Sequence, residues 1–115
     1  MRRFTPRLTL SKLKLWSIKL KGYLILDFSI KDFSLFKEYI DKIPAFIKKH
    51  GGKYVVQGVE PEIMEGDWHP ERVVVLEFPN KEIAKGFLSD PEAQPLFAIR
   101  HNTTKSKLIL VEGCF

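Results

Sequence analysis

The sequence predicts an α+β domain in which helices cover one face of a four-stranded antiparallel sheet. Two observations carry this reading. Four segments have strand character, two have apolar stripes at helical spacing and Asp90-Pro91 marks the start of a third helix, and their order along the 115 residues is β-α-β-β-α-α-β. A chain of this length has room for one domain.

The first strand spans residues 23–30. Leu24, Leu26, Phe28 and Ile30 share one face, and Tyr23, Ile25, Asp27 and Ser29 share the other. A sheet with one solvated face shows a cleaner alternation, so the second face is expected to be covered too, and it carries a carboxylate into that contact.

Residues 32–50 follow as a helix, with Phe33, Phe36, Ile40, Ile43 and Ile47 as its apolar stripe and Asp32 as N-cap. Lys48, Lys49 and His50 complement the dipole of the last turn, and Gly51-Gly52 supplies the left-handed residue that ends it. Pro44 removes one amide from the interior and predicts a kink or break near residue 43.

A short strand occupies residues 53–59, and a polar connection runs from Glu60 to Pro70. Residues 72–78, Arg-Val-Val-Val-Leu-Glu-Phe, form the strongest strand of the chain. Asn80 caps a second helix with the stripe Ile83, Ala84, Phe87 and Leu88. Asp90-Pro91 starts a third helix that runs to about His101, and the last strand covers residues 106–112. This is the split βαβ, ferredoxin-like plan, with the fourth strand returning beside the first. Its uncovered face is most simply closed by a second copy of the same sheet, which makes a homodimer the expected partner state.

The formal charge of +5 is unevenly spread. Arg2, Arg3, Arg7, Lys12, Lys14, Lys19 and Lys21 fall within the first 21 residues, which hold no acid; all 14 acidic residues lie beyond, against 12 of the 19 basic ones. The chain therefore divides into a basic N-terminal extension, residues 1–20, and a mildly acidic domain, residues 21–113. The charge of the body argues against nucleic acid as its partner. In the extension, Leu8, Leu10, Leu13, Leu15, Ile18 and Leu20 alternate with basic and polar residues. A targeting peptide, a basic arm for nucleic acid or anionic lipid, and an upstream start or packed extension all fit; the last is preferred. No stretch reaches the ~20 apolar residues of a membrane span. A single cysteine, Cys114, fits a reducing, cytoplasmic location.

Six residues stand out as site candidates. Asp27, on the second face of strand one, and Glu77, on the face opposite Val74, Leu76 and Phe78, are the candidate catalytic carboxylates; in one cavity they would push one pKa upward. Arg72 and Arg100 are the only arginines beyond residue 21, against ten lysines, and are the candidate grips for an anionic ligand. Arg72 is alternatively a pin for the long connection through Glu65, Asp67 or Glu77. Trp68 and Tyr39 are the candidate pocket walls, with a dimer contact as the alternative for Trp68 and core packing for Tyr39. His69 and His101 lack the spacing of a metal pair, and no phosphate loop, nucleophile set or acidic metal cluster is present, so neither metal nor cofactor is expected.

Several of these residues occur together in an order that resembles a known family. Tyr39 and Pro44 in the first helix are followed by Gly51-Gly52, then Glu65-Gly66-Asp67-Trp68, Arg72 through Pro79, Phe87 through Pro91, Arg100, and Leu110 through Gly113. This series, over about four fifths of the chain, is similar to the domain of unknown function 1330 family. The chain departs from it at Phe87-Leu88, where an aromatic pair is usual, and at Pro91, near which a tyrosine is usual. The resemblance implies a dimeric α/β-barrel and names no activity. Proteins on that barrel include muconolactone isomerases, small cofactor-free monooxygenases and haem-handling proteins, an analogy of fold alone. The resulting expectation is a homodimeric small-molecule-binding protein, or a cofactor-free enzyme of isomerase or monooxygenase type acting on a small organic anion. The alternative is a non-catalytic interaction protein whose basic extension contacts nucleic acid or an anionic membrane surface.

Overall fold

The computed structural model describes residues 20–115. The readings of the basic extension fall on residues 1–19 and lie outside the described residues. The elements are β1 (Gly22–Ile30), α1 (Phe33–Lys49), β2 (Lys53–Val59), β3 (Arg72–Phe78), α2 (Lys81–Ser89), a 3-10 turn (Pro91–Ala93), α3 (Gln94–Thr103) and β4 (Thr104–Glu112). The sheet order is β2-β3-β1-β4, and every neighbouring pair is antiparallel. This is the expected ferredoxin-like α+β arrangement, with β4 beside β1.

Strand β1 alternates as its sequence does. Leu24, Leu26 and Phe28 are buried against the helices, while Tyr23, Ile25, Asp27 and Ser29 are half-buried on the opposite face. The register carries the same division across the sheet. Leu24 pairs with Leu76 and Leu110, and Leu26 with Val74 and Leu108, so these residues form the helix-side face. Tyr23 pairs with Glu77 and Val111, Ile25 with Val75 and Ile109, and Asp27 with Val73 and Lys107, so these form the open face. Gly22 is required at the start of β1, because a Cβ there would lie 2.9 Å from the backbone of Asn80, where α2 begins.

The core lies between sheet and helices. Phe78 and Phe87 pack as a tilted pair with centroids 5.1 Å apart, Phe87 meets Phe97 edge-on at 5.3 Å, and Ile43 and Ile47 of α1 close over Leu24 and Leu76. A second cluster joins Leu26, Phe28 and Phe36.

The local signals hold at the helix ends. Asp32 accepts the amide of Leu35, and Asn80 accepts that of Ile83. Helix α1 ends in a Schellman motif: Gly51, at φ +74°, donates to Lys48, and Gly52 donates to Ile47. Three expectations need correction. Helix α1 runs unbroken through Pro44, which points to solvent, so water can satisfy the carbonyl of Ile40 left without its donor. Of its apolar stripe only Phe36, Ile43 and Ile47 are buried; Phe33 and Ile40 remain 58% and 41% exposed. Asp90-Pro91 opens a single 3-10 turn, and α3 begins at Gln94 and extends two residues beyond His101.

Candidate functional site

The six candidate residues separate onto the two faces of the sheet. Tyr39, Arg72 and Arg100 lie on the helix side; Asp27, Glu77 and Trp68 belong to the open face. The division follows from the register, since Arg72 and Ser106 both pair with the helix-facing Phe28.

Arg100 comes from α3 and is 5% exposed. Its Nη1 donates to Ser106 Oγ at 3.3 Å, and its Nε has no hydrogen-bond partner. None of the ion pairs among the described residues involves it. The guanidinium carbon instead sits 5.7 Å from the Phe97 ring centre and 6.0 Å from that of Tyr39. It borders a cavity of about 40 Å³ whose apolar wall includes Leu24, Leu26, Leu76 and Leu108, with Tyr39 and Tyr54 as its phenols. That volume accommodates one or two waters or the head of a small ligand. Burial pushes the Tyr39 hydroxyl up in pKa, and the positive charge of Arg100 offsets part of the rise; burial alone pushes Tyr54 up. Both phenols are therefore neutral hydrogen-bond donors around neutral pH. An arginine does not shed its proton, so the site holds a fixed, desolvated positive charge lacking a protein counter-ion among the described residues.

Arg72, at the start of β3, is exposed and donates from Nη1 to the carbonyl of Gly58 at 3.0 Å. This bond ties the start of β3 to the end of β2; the expected pin through Glu65, Asp67 or Glu77 is not made.

On the open face, the Trp68 indole Nε1 donates to Asp27 Oδ2 at 2.7 Å. Asp27, Trp68, His69, Lys105 and Lys107 border an open cavity of about 490 Å³. Glu77 is engaged elsewhere. It accepts the Tyr23 hydroxyl at 3.1 Å and lies 3.5 Å from Lys53 Nζ and 3.9 Å from Lys21 Nζ. The carboxylates do not share a cavity. Glu77 stands opposite Tyr23, four residues along β1 from Asp27, a separation of roughly 13 Å. The salt bridge anticipated for Glu77 is made with lysines, not with an arginine.

A family model described as a domain of unknown function, DUF1330, matches residues 21–114. The chain belongs to the DUF1330 family. A search of curated proteins finds no match to this DUF1330 chain. Among solved structures it is similar to a protein of unknown function from Rhodopseudomonas palustris, at 16% identity and a TM-score of 0.71 over 95% of this chain and 96% of that one. It is also similar to SnoaB, a cofactor-independent oxygenase from Streptomyces nogalater, at 13% identity and a TM-score of 0.59 over 84% and 95% of the two chains. A third likeness is to a hypothetical protein from Arabidopsis thaliana, at 14% identity and a TM-score of 0.55 over 83% and 87%. At these identities the likeness concerns the fold alone.

Two features of this DUF1330 domain lie outside the sequence expectations. Tyr54 faces the helix-side cavity, because β2 enters the sheet opposite Leu76. Asp90, read only as a cap, also accepts Lys49 Nζ at 2.8 Å and contacts His50 Nε2 at 2.8 Å. The signal for the second was present in the basic end of α1, which complements its own dipole and also reaches a carboxylate 40 residues away. Among the described residues no group of histidine, cysteine and carboxylate side chains is arranged to hold a metal ion, and no helix is long and apolar enough to cross a membrane.

Proposed function

We propose that this DUF1330 protein binds a small organic anion in the helix-side cavity and works as a homodimer joined through the open face of its sheet. The observation that carries the first part is the buried Arg100 guanidinium, whose Nε lacks a partner and which no carboxylate neutralises among the described residues. Folding a guanidinium into an apolar cavity without a counter-ion costs several kcal/mol, and a bound carboxylate would recover much of it through charge-assisted hydrogen bonds. Tyr39 and Tyr54 offer neutral hydroxyls to the same ligand. Two protonated phenols beside a fixed cation also suit stabilisation of an enolate without a cofactor, which is the chemistry of an isomerase- or oxygenase-type reaction.

The dimer reading rests on the open face. Ile25, Val73 and Val75 form an apolar centre, and Ile109 and Val59 remain 56% and 52% exposed beside it. A contiguous apolar patch of this kind on a sheet is a surface for a partner. In this reading Asp27 and Trp68 line the interior of the dimer, and Glu77 with Lys21 and Lys53 forms its polar edge. The solitary thiol keeps the proposed setting a reducing one, the cytoplasm.

Isothermal titration of the full-length protein with acetate and butanoate tests the site. Heat that saturates for the parent and disappears for Arg100→Met is expected. Equal binding by both proteins would remove Arg100 from the site.

A further inference from the structure

The Arg100 cavity has a neighbour on the far side of Tyr54. A second, open groove of about 360 Å³ shares Tyr54 and Val74 with it. Its walls are Phe28, Ile30, Phe33, Phe36 and Ile40, with Arg72 at the rim. Aromatic contacts link the walls of the two: Phe28 lies 5.8 Å from Phe36, which stacks on Tyr39 at 5.3 Å, and the Tyr39 ring is 6.0 Å from the Arg100 guanidinium. The exposed half of the α1 stripe, Phe33 and Ile40, thus lines a groove that adjoins the cavity of a buried cation.

We infer that the ligand is an amphipathic monoanion, a carboxylate head at Arg100 carrying an apolar tail that passes Tyr54 and lies in the α1 groove. This rests on the anion-binding reading proposed above and extends it. The inner cavity is too small for more than a head group, and its only charge is positive. The groove that adjoins it is apolar and keeps large side chains in water, which a tail would cover. Arg72 raises the possibility of a second acid at the tail end. Its row partner Phe28 also pairs with Ser106, which places the Arg72 backbone roughly 10 Å from the strand that holds Arg100's partner. But Arg72 is exposed and already engaged with Gly58, and an ion pair in that setting contributes little. The apolar wall decides in favour of a monoanion.

The test is a titration series on the full-length protein with acetate, butanoate, hexanoate, octanoate and decanoate, repeated with Arg100→Met and Ile40→Asp, with adipate and sebacate as dianionic controls. Thermal melts of each variant establish that it is folded. A fully buried methylene is worth about fourfold in affinity, and in an open groove decanoate should bind roughly a hundredfold more tightly than butanoate. Arg100→Met should abolish binding of every acid, whereas Ile40→Asp should weaken only the longer ones. Affinity independent of chain length, but lost in Arg100→Met, would overturn the tail and leave the anion site standing. Sebacate binding more tightly than decanoate would also overturn the tail, in favour of a second anionic group. Failure of every acid to bind, or binding indifferent to Arg100→Met, would overturn the anion site itself.

Discussion

Asp90 and Lys49 form an ion pair at 2.8 Å between the start of the 3-10 turn and the last residue of α1. The Asp90 side chain is only 3% exposed, and its second oxygen accepts the amide of Glu92. Lys49 and His50 therefore lock the end of α1 to the approach to α3 through one carboxylate.

Those hydrogen bonds, from Lys49 first and then from His50, hold the Asp90 carboxyl far below the ordinary carboxylate range in pKa. A group depressed in the folded state stabilises the fold above its unfolded pKa, and the contribution is lost as pH falls through the folded value. Asp90→Asn should lower the Tm at pH 7. The gap to the parent should narrow as pH drops below about 4. Thermal melts of both proteins from pH 7 to pH 2 check this, and a gap that widens in acid would contradict it.

Pro44 is an exposed proline inside a continuous α1. Pro44→Ala restores an amide to the carbonyl of Ile40 and removes a ring from the helix interior. It should raise stability by about 1–3 kcal/mol in urea unfolding. A loss of stability would mean that the proline ring makes a packing contribution larger than the helix penalty.

Arg100→Met, besides removing anion binding, should leave the Tm unchanged or raise it. The substitution replaces a buried cation that has one weak hydrogen bond with an apolar side chain of similar length. A loss of more than about 2 kcal/mol would assign the guanidinium a structural role, since that exceeds a typical single hydrogen bond.

Ile109 tests the open face. Placing a charge at this half-exposed position costs little in an isolated sheet but opposes association across it. Ile109→Asp should run as a monomer in light scattering while the parent runs as a dimer. A parent that is monomeric at ~100 µM, well above the Kd of a stable interface, would contradict the dimer reading.

Phe87 carries the core. It packs at a tilt against Phe78, meets Phe97 edge-on and borders the helix-side cavity. Phe87→Ala should cost about 3–5 kcal/mol in urea unfolding. A smaller cost would indicate collapse of the adjoining cavity, visible as lost anion binding.

The sequence by itself determined the elements and their order, because the signals for these are local. Alternation on β1 divides its two faces, Asp32 and Asn80 satisfy amides three residues away, and Gly51 adopts the left-handed conformation that ends α1. The split βαβ order followed from those elements in turn. Only the tertiary structure decided which side chains meet. Strand pairing sets Arg72, Phe28 and Ser106 in one row and puts Glu77 opposite Tyr23, four residues from Asp27. The packing of α3 against α1 then buries Arg100 beside Tyr39. Such meetings depend on contacts between residues tens of positions apart, and no local periodicity encodes whether an arginine at a helix end faces water or an apolar cavity.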